Sequence, residues 1–277
     1  MPRATIRGGY EGCPLPQRRA RILARKLESG LSPRGVQIIH AVLRTALNQA
    51  VRWGDLHRNV ASLVKPPRVP RGQVDPFTPE EAKAFLTAIS GHRLEALFIL
   101  GIATGMRQGE IMGLRWVDVD LDYAQLRIRY SLQRIKGEFQ LVEPKSRQSR
   151  RTITLPQMAV TALRAHRTRQ LEERMLAGRE WVDTGMVFTT TSGNYLNAGV
   201  ACKAYHQTLV DARLRRQRFH DMRHCCASLL LAQGVHPRLV METLGHSQIG
   251  LTMNTYSHVI PDLKRETAER MDAILGS

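Results

Sequence analysis

The stretch Lys65-Pro66-Pro67-Arg68-Val69-Pro70-Arg71-Gly72-Gln73-Val74-Asp75-Pro76-Phe77 divides this chain before any other feature is read. Proline lacks the amide hydrogen that a helix interior or an inner strand must donate, and four of these thirteen residues are proline. The segment 65–77 therefore reads as a linker between a module over 1–64 and a larger domain over 78–277.

On its N-terminal side, residues 1–16 lack periodicity and carry Gly8-Gly9, which predicts a loose arm. Residues 17–29 suit a short basic helix ended by Gly30. Ser32-Pro33 then supplies an N-cap and a proline at the first helical position. Val36, Ile39, Val42, Leu43, Ala46, Leu47 and Ala50 follow at helical spacing as far as Trp53-Gly54.

Beyond the linker, Thr78-Pro79-Glu80-Glu81 has the pattern of a capping box. Helices are predicted over about 79–89 and 92–105, with another beginning near Arg107. The period then changes to two: Leu126, Ile128 and Tyr130 alternate with Arg127 and Arg129, and 139–142 and 151–155 are further β-like runs. The basic segment 144–150 between those two runs reads as a hairpin turn. Helical spacing returns over 157–176, followed by a short strand near Val187-Phe188 and helices over about 198–213, 220–233, 237–244 and 262–274. The fold class is mainly α with one small antiparallel β-sheet, α+β.

Charge narrows the function. The chain has 41 Lys and Arg against 24 Asp and Glu, a net +17. Residues 1–70 alone hold 13 basic and 3 acidic side chains. An excess so one-sided repels itself in the folded state and suits a polyanion, with nucleic acid ahead of an anionic membrane. The longest apolar run, 96–106, falls short of the roughly 18 residues of a spanning helix, and no signal-peptide pattern opens the chain. Four scattered cysteines (Cys13, Cys202, Cys225, Cys226) do not suggest a disulfide framework, so a reducing, cytoplasmic setting is expected.

The segment His220-Asp221-Met222-Arg223-His224 opens a helix that continues through Leu231. At about 100° per residue, His220, Arg223, His224 and Ala227 share one face and Met222, Cys225, Cys226 and Leu229 the other. Three groups that can be cationic thus converge, either as an ordinary charged first turn or as a rigid mount for an anion. A zinc site from His220, His224, Cys225 and Cys226 is disfavoured, because the cysteines point away from the histidines. The cysteines suit buried, small apolar positions, and His224 a structural hydrogen bond.

Several further motifs occur in a telling order: Thr104-Gly105-Met106-Arg107-Gln108-Gly109-Glu110 with Gly113-Leu114-Arg115-Trp116, Lys145 in the basic turn, His220-x-x-Arg223, Leu244-Gly245-His246-Ser247, and Asn254-Thr255-Tyr256-Ser257-His258. Residues 78–275 resemble the catalytic domain of the tyrosine recombinase (phage integrase) family, and about 31–70 resemble the end of its helical, SAM-like core-binding module. The resemblance implies that Arg107 and Arg223 clamp the scissile phosphate, a task that suits the fixed, permanently charged fork of a guanidinium. By the same resemblance, Glu110 steadies the arginines, Lys145 protonates the departing 5′ oxygen, and His220 supports proton removal. His246 would bond the phosphate in the transition state, and Tyr256 would be the nucleophile, its phenol of pKa about 10 needing a base and cations nearby. Arg147 and Arg150 would be backbone contacts. Neither metal nor cofactor is implied.

The implied activity is site-specific strand exchange on double-stranded DNA through a 3′-phosphotyrosyl intermediate. The resemblance also implies a tetrameric synapse and accessory DNA-bending or directionality factors. The helix 262–274 suits either docking on a neighbouring protomer or packing on its own domain. The first part of the core-binding module is missing or degenerate by this comparison, so a truncated remnant that binds DNA without productive recombination stands as one alternative. Another is a type IB topoisomerase-like enzyme, with the same nucleophile and arginines.

Overall fold

In the computed structural model, which describes residues 24–69, 75–144 and 150–245, Ser32 Oγ accepts the Gly35 amide at 3.1 Å and opens α1, Pro33–Arg52. The chain divides into two compact units, 1–73 and 74–277, with the border inside the proline-rich stretch. Within the first, residues 24–28 are helical and Gly30 stops them at φ +86°. The arm over 1–16 and the helix over 262–274 lie outside the described residues. A 3₁₀ turn, Val60–Leu63, packs on α1 through Val36 and Ala61. His40 Nε2 lies 2.9 Å from the Ala61 carbonyl and the Asn59 amide donates to the Arg44 carbonyl at 2.8 Å, so polar as well as apolar contacts hold the turn.

The second unit opens as its sequence predicts. Thr78 Oγ1 accepts the Glu81 amide and Glu81 Oε2 accepts the Thr78 amide, a capping box that begins α2, Pro79–Ala88, and stabilises it by about 1 kcal/mol. Next comes α3, Glu95–Thr104, buried without a break from Ala96 to Ile102 because it is apolar on every side. It is the central helix, packed against α5, Gln157–Ala177, and α7, Asp221–Ala232. Phe85 of α2, Phe98 of α3, Phe219 and Tyr205 of α6, Ala198–Asp211, form an aromatic cluster with centroids 5.3–6.0 Å apart.

Between α4, Gln108–Met112, and α5 lies the β region, and here the structure departs from the expected single sheet. Strands β1 (Val119–Asp120), β2 (Gln125–Arg127) and β5 (Thr152–Thr154) form one antiparallel sheet in the order β1-β2-β5, with Leu126 opposite both Val119 and Ile153. Strands β3 (Ser131–Ile135) and β4 (Glu138–Val142) pair only with each other in a second sheet. Their turn is Lys136-Gly137, both at positive φ, the geometry that matches the twist of a two-residue hairpin. Strands β4 and β5 therefore belong to different sheets, and the expected hairpin between the runs 139–142 and 151–155 is not formed. Val187-Phe188 is likewise not a strand: isolated bridges flank it at Met186 and Thr189, and the Val187 amide donates to the Leu114 carbonyl at 2.8 Å. The last described helix is α8, Pro237–Leu244, which ends at Gly245 in the left-handed conformation.

Candidate active site

The site is built on a turn that only glycine can make. After α3 the chain reverses at Gly105, φ +61°, and a Cβ there would run into Leu244 Cδ2 and press on Cys226. Met106 is buried and Arg107 follows in extended conformation as the N-cap of α4. Glu110, at the third position of that helix, accepts the Arg107 amide on Oε2 at 3.0 Å and Arg107 Nη1 on Oε1 at 2.7 Å. One carboxylate therefore fixes both ends of Arg107. Glu110 is 4% exposed while the Arg107 side chain is 40% exposed, so the guanidinium faces outward from a buried anchor.

A second arginine shares that carboxylate. Arg151, which the sequence marks only as the start of a strand, is 7% exposed and donates Nη2 to Glu110 Oε2 at 3.2 Å. Burial by itself would raise the Glu110 carboxyl, but the Arg151 and Arg107 charges and the hydrogen bonds from Arg107 outweigh it and hold the group below the usual carboxylate range. Arg151 Nε also donates to the Thr243 carbonyl at 2.7 Å, and Arg107 Nη2 reaches the Gly245 carbonyl at 3.4 Å. Two arginines from different elements thus grip the end of α8.

Arg223 is the most buried of the three groups on the His220 face of α7. It is 3% exposed, and its Nη1 donates to the Gly105 carbonyl at 2.6 Å. Helix α7 is buried on both sides: Cys225 packs in the main core, and Cys226 and Ala227 pack in a second apolar cluster with Val240 and Leu244. Burial pushes both thiols up to about 12, so they are un-ionised side chains of the core.

The two histidines of this helix meet edge to face with ring centroids 5.3 Å apart. Burial, then the Arg223 charge, lowers His220, and Arg107 adds to the effect from the opposite element. His224 is lowered to about 4, first by burial and then by His220. Both imidazoles are neutral at pH 7, so the expected convergence of three cations reduces to one guanidinium beside two potential proton acceptors.

Lys145, His246 and Tyr256 lie outside the described residues, as does Arg147. Arg150 pairs with Glu143 at the surface. Beside this pair, Arg127, Arg129, Tyr130 and Arg151 line a basic groove. Tyr205 is fully buried in the aromatic cluster with its phenol pushed up by burial, which removes it as a nucleophile. The assembled groups could receive an anion, with an outward guanidinium at Arg107 and the imidazole of His220 within its electrostatic reach.

Comparison with known proteins gives a consistent picture. The family model described as phage integrase family matches residues 76–262. A protein named tyrosine recombinase XerC-like from Caldanaerobacter subterraneus subsp. tengcongensis is 35% identical over 263 residues, covering 88% of this chain and 67% of the relative. An integrase of Saccharopolyspora erythraea is 29% identical over 300 residues, covering 90% and 68%. Among solved structures, the Tn1549 transposon integrase in complex with transposon right end DNA superposes with a TM-score of 0.78 at 21% identity, covering 96% of this chain and 88% of that one.

Proposed function

The chain belongs to the phage integrase family, the tyrosine recombinases, and from that premise we propose that it cleaves and rejoins DNA at specific sites through a 3′-phosphotyrosyl intermediate. The observation that carries the reading is the Glu110 carboxylate, buried beneath Arg107 and shared with Arg151. A carboxylate so placed keeps an outward arginine in one orientation, which is what in-line attack on a phosphodiester requires.

In this reading Arg107 and Arg223 neutralise the phosphoryl oxygens as charge builds in the pentavalent transition state. Tyr256 attacks phosphorus, its proton passing towards His220, which is held neutral and so able to accept it. Lys145 gives a proton to the departing 5′ oxygen and His246 hydrogen-bonds the phosphate. The freed 5′ hydroxyl of one strand then attacks the phosphotyrosyl bond of its partner, so phosphodiester energy is kept in the covalent link. The roles of Lys145, His246 and Tyr256 rest on their motifs. Supercoil relaxation as the main activity is not favoured, since the similar proteins are recombinases and integrases.

Residues 1–64 serve as a core-binding module and 78–277 as the catalytic domain, with 65–77 between them. Double-stranded DNA is the partner, in keeping with the +17 charge and the basic groove. The exchange needs copies acting on both partner duplexes, and the segment 262–274 is the candidate link within a tetrameric synapse. Accessory bending or directionality factors belong to the same proposal. No helix among the described residues is long and apolar enough to cross a membrane, and a cytoplasmic setting, where the DNA substrate would be met, belongs to the same proposal.

The test is incubation with nicked suicide substrates carrying candidate attachment sequences, read as a protein–DNA adduct on a denaturing gel. Wild type should give an adduct and Tyr256→Phe none, with DNA binding retained. Adduct formation that survives Tyr256→Phe would remove Tyr256 from the mechanism.

A further inference from the structure

Arg151 is a buried guanidinium with more structural consequence than its position at the edge of β5 suggests. Its backbone lies immediately before β5, and its carbonyl accepts the Ile128 amide at 2.9 Å. Its side chain crosses to two other elements: Nη2 meets Glu110 on α4, and Nε meets the Thr243 carbonyl at the end of α8. Gly245 lies so close that a Cβ on it would sit 2.8 Å from Arg151 Nη1 and 3.1 Å from Cζ. Backbone and guanidinium are thus stacked without room for a side chain between them.

Burying a guanidinium is unfavourable unless it is well paired, and an apolar residue would fill this position as well. Surface solubility cannot explain a side chain that is 7% exposed. What distinguishes an arginine here is that one rigid fork can hold two segments at once. The two it holds lead directly to expected site residues. Glu110 carries Arg107, and Gly245 is followed by His246. Lys145 lies six residues before Arg151 in the chain.

We infer that Arg151 is a positioning residue for strand cleavage: through Glu110 it fixes the Arg107 guanidinium, and it holds the Thr243–Gly245 turn that precedes His246 in the sequence. The inference rests on the strand-transfer reading of this site. Arg151 acts on the phosphate through these groups, since its Nη2 is engaged with Glu110 and its Nε with Thr243.

The experiment is single-turnover cleavage of a suicide substrate at saturating DNA, with DNA affinity and thermal unfolding measured on the same preparations. Wild type is compared with Arg151→Lys, which keeps the charge but not the two-point fork, Arg151→Met, which keeps the volume, and Glu110→Gln. The expected result for Arg151→Met is a fall in the cleavage rate of about 100-fold, the scale of a small misplacement of catalytic groups, with DNA affinity changed less than about threefold. Arg151→Lys should recover part of that loss. Combining Arg151→Met with Glu110→Gln should cost less than the product of the two single effects, because both act on Arg107.

Wild-type cleavage rates in folded Arg151→Lys and Arg151→Met would overturn the inference. So would a loss that appears wholly in DNA affinity, which would make Arg151 a phosphate contact, or one that follows only the unfolded fraction. Where Arg151→Met fails to fold, Arg151→Lys and the Glu110→Gln combination with it decide by the same rate-against-affinity comparison. Absence of an adduct from wild type, with DNA bound, would instead overturn the strand-transfer reading and the inference with it.

Discussion

Arg223 donates Nη1 to the carbonyl of Gly105 across 2.6 Å, so a buried cation from α7 holds the peptide two residues before Arg107. The two phosphate-clamp candidates are therefore not independent: moving one shifts the main chain that carries the other. Arg223→Lys keeps the charge but cannot reproduce a planar fork. It should lower single-turnover cleavage by about 100-fold, the usual scale for loss of one transition-state donor, with little effect on DNA affinity. Quench-flow cleavage and a binding titration check this, and an unaltered rate would remove Arg223 from the reacting phosphate.

Gly105→Ala should be damaging although it adds one methyl group. A left-handed alanine costs about 1–2 kcal/mol, and forcing Cβ against Leu244 and Cys226 adds about 1–3 kcal/mol of overpacking. Urea unfolding should show a lower midpoint at unchanged slope, together with slower cleavage because the turn leads into Arg107.

Glu110 makes acid stability a readout of the site. Its folded pKa lies below the ordinary 4.5, so its contribution is fully present above pH 4.5 and is lost as pH falls through the folded value. Glu110→Gln leaves the buried Arg151 without its carboxylate and should cost about 3–5 kcal/mol at neutral pH. The variant should also lose less stability than wild type as the pH falls below 4.5, measured by denaturant unfolding over a descending pH series.

His224 should show the same sign in a different window. Its folded value of about 4 lies below the ordinary 6.5 because of burial and His220. The unfolded chain binds a proton that the folded chain refuses, so the full stability is present above pH 6.5 and falls as the pH drops towards 4. The slope from this ring is at most about 1 kcal/mol per pH unit, since it is partly exposed. His224→Gln should flatten that part of the profile, and an identical slope in the two proteins would exclude His224 as its source.

How much of this was legible in the sequence follows from the range of each signal. Ser32, Pro33 and the Thr78–Glu81 box act within a few residues, so both helix starts lie where local chemistry puts them. The central helix was legible because 96–102 is apolar on every side. Strand pairing was not. The Leu126–Ile153 partnership joins positions far apart in the chain, and Lys136-Gly137 is a less obvious hairpin turn than Asn-Gly, so the basic segment 144–150 took its place in the expected topology. The burial of Arg223 was not legible because a helical wheel shows only one helix, whereas the carbonyl that its guanidinium reaches belongs to the Gly105 turn. Arg151 was overlooked because alternation assigns a strand residue to a side but not to a distant carboxylate.

The two separate sheets carry a consequence for how this protein can change. Strand β4 closes its own hairpin with β3, and β5 takes its register from β2, so the connection from Val142 to Thr152 sets neither ladder. Residues can be inserted there or removed without slipping a single pair of strands. Natural variation, or an engineer retargeting the enzyme, therefore has a basic segment whose length can drift while both ladders keep their register.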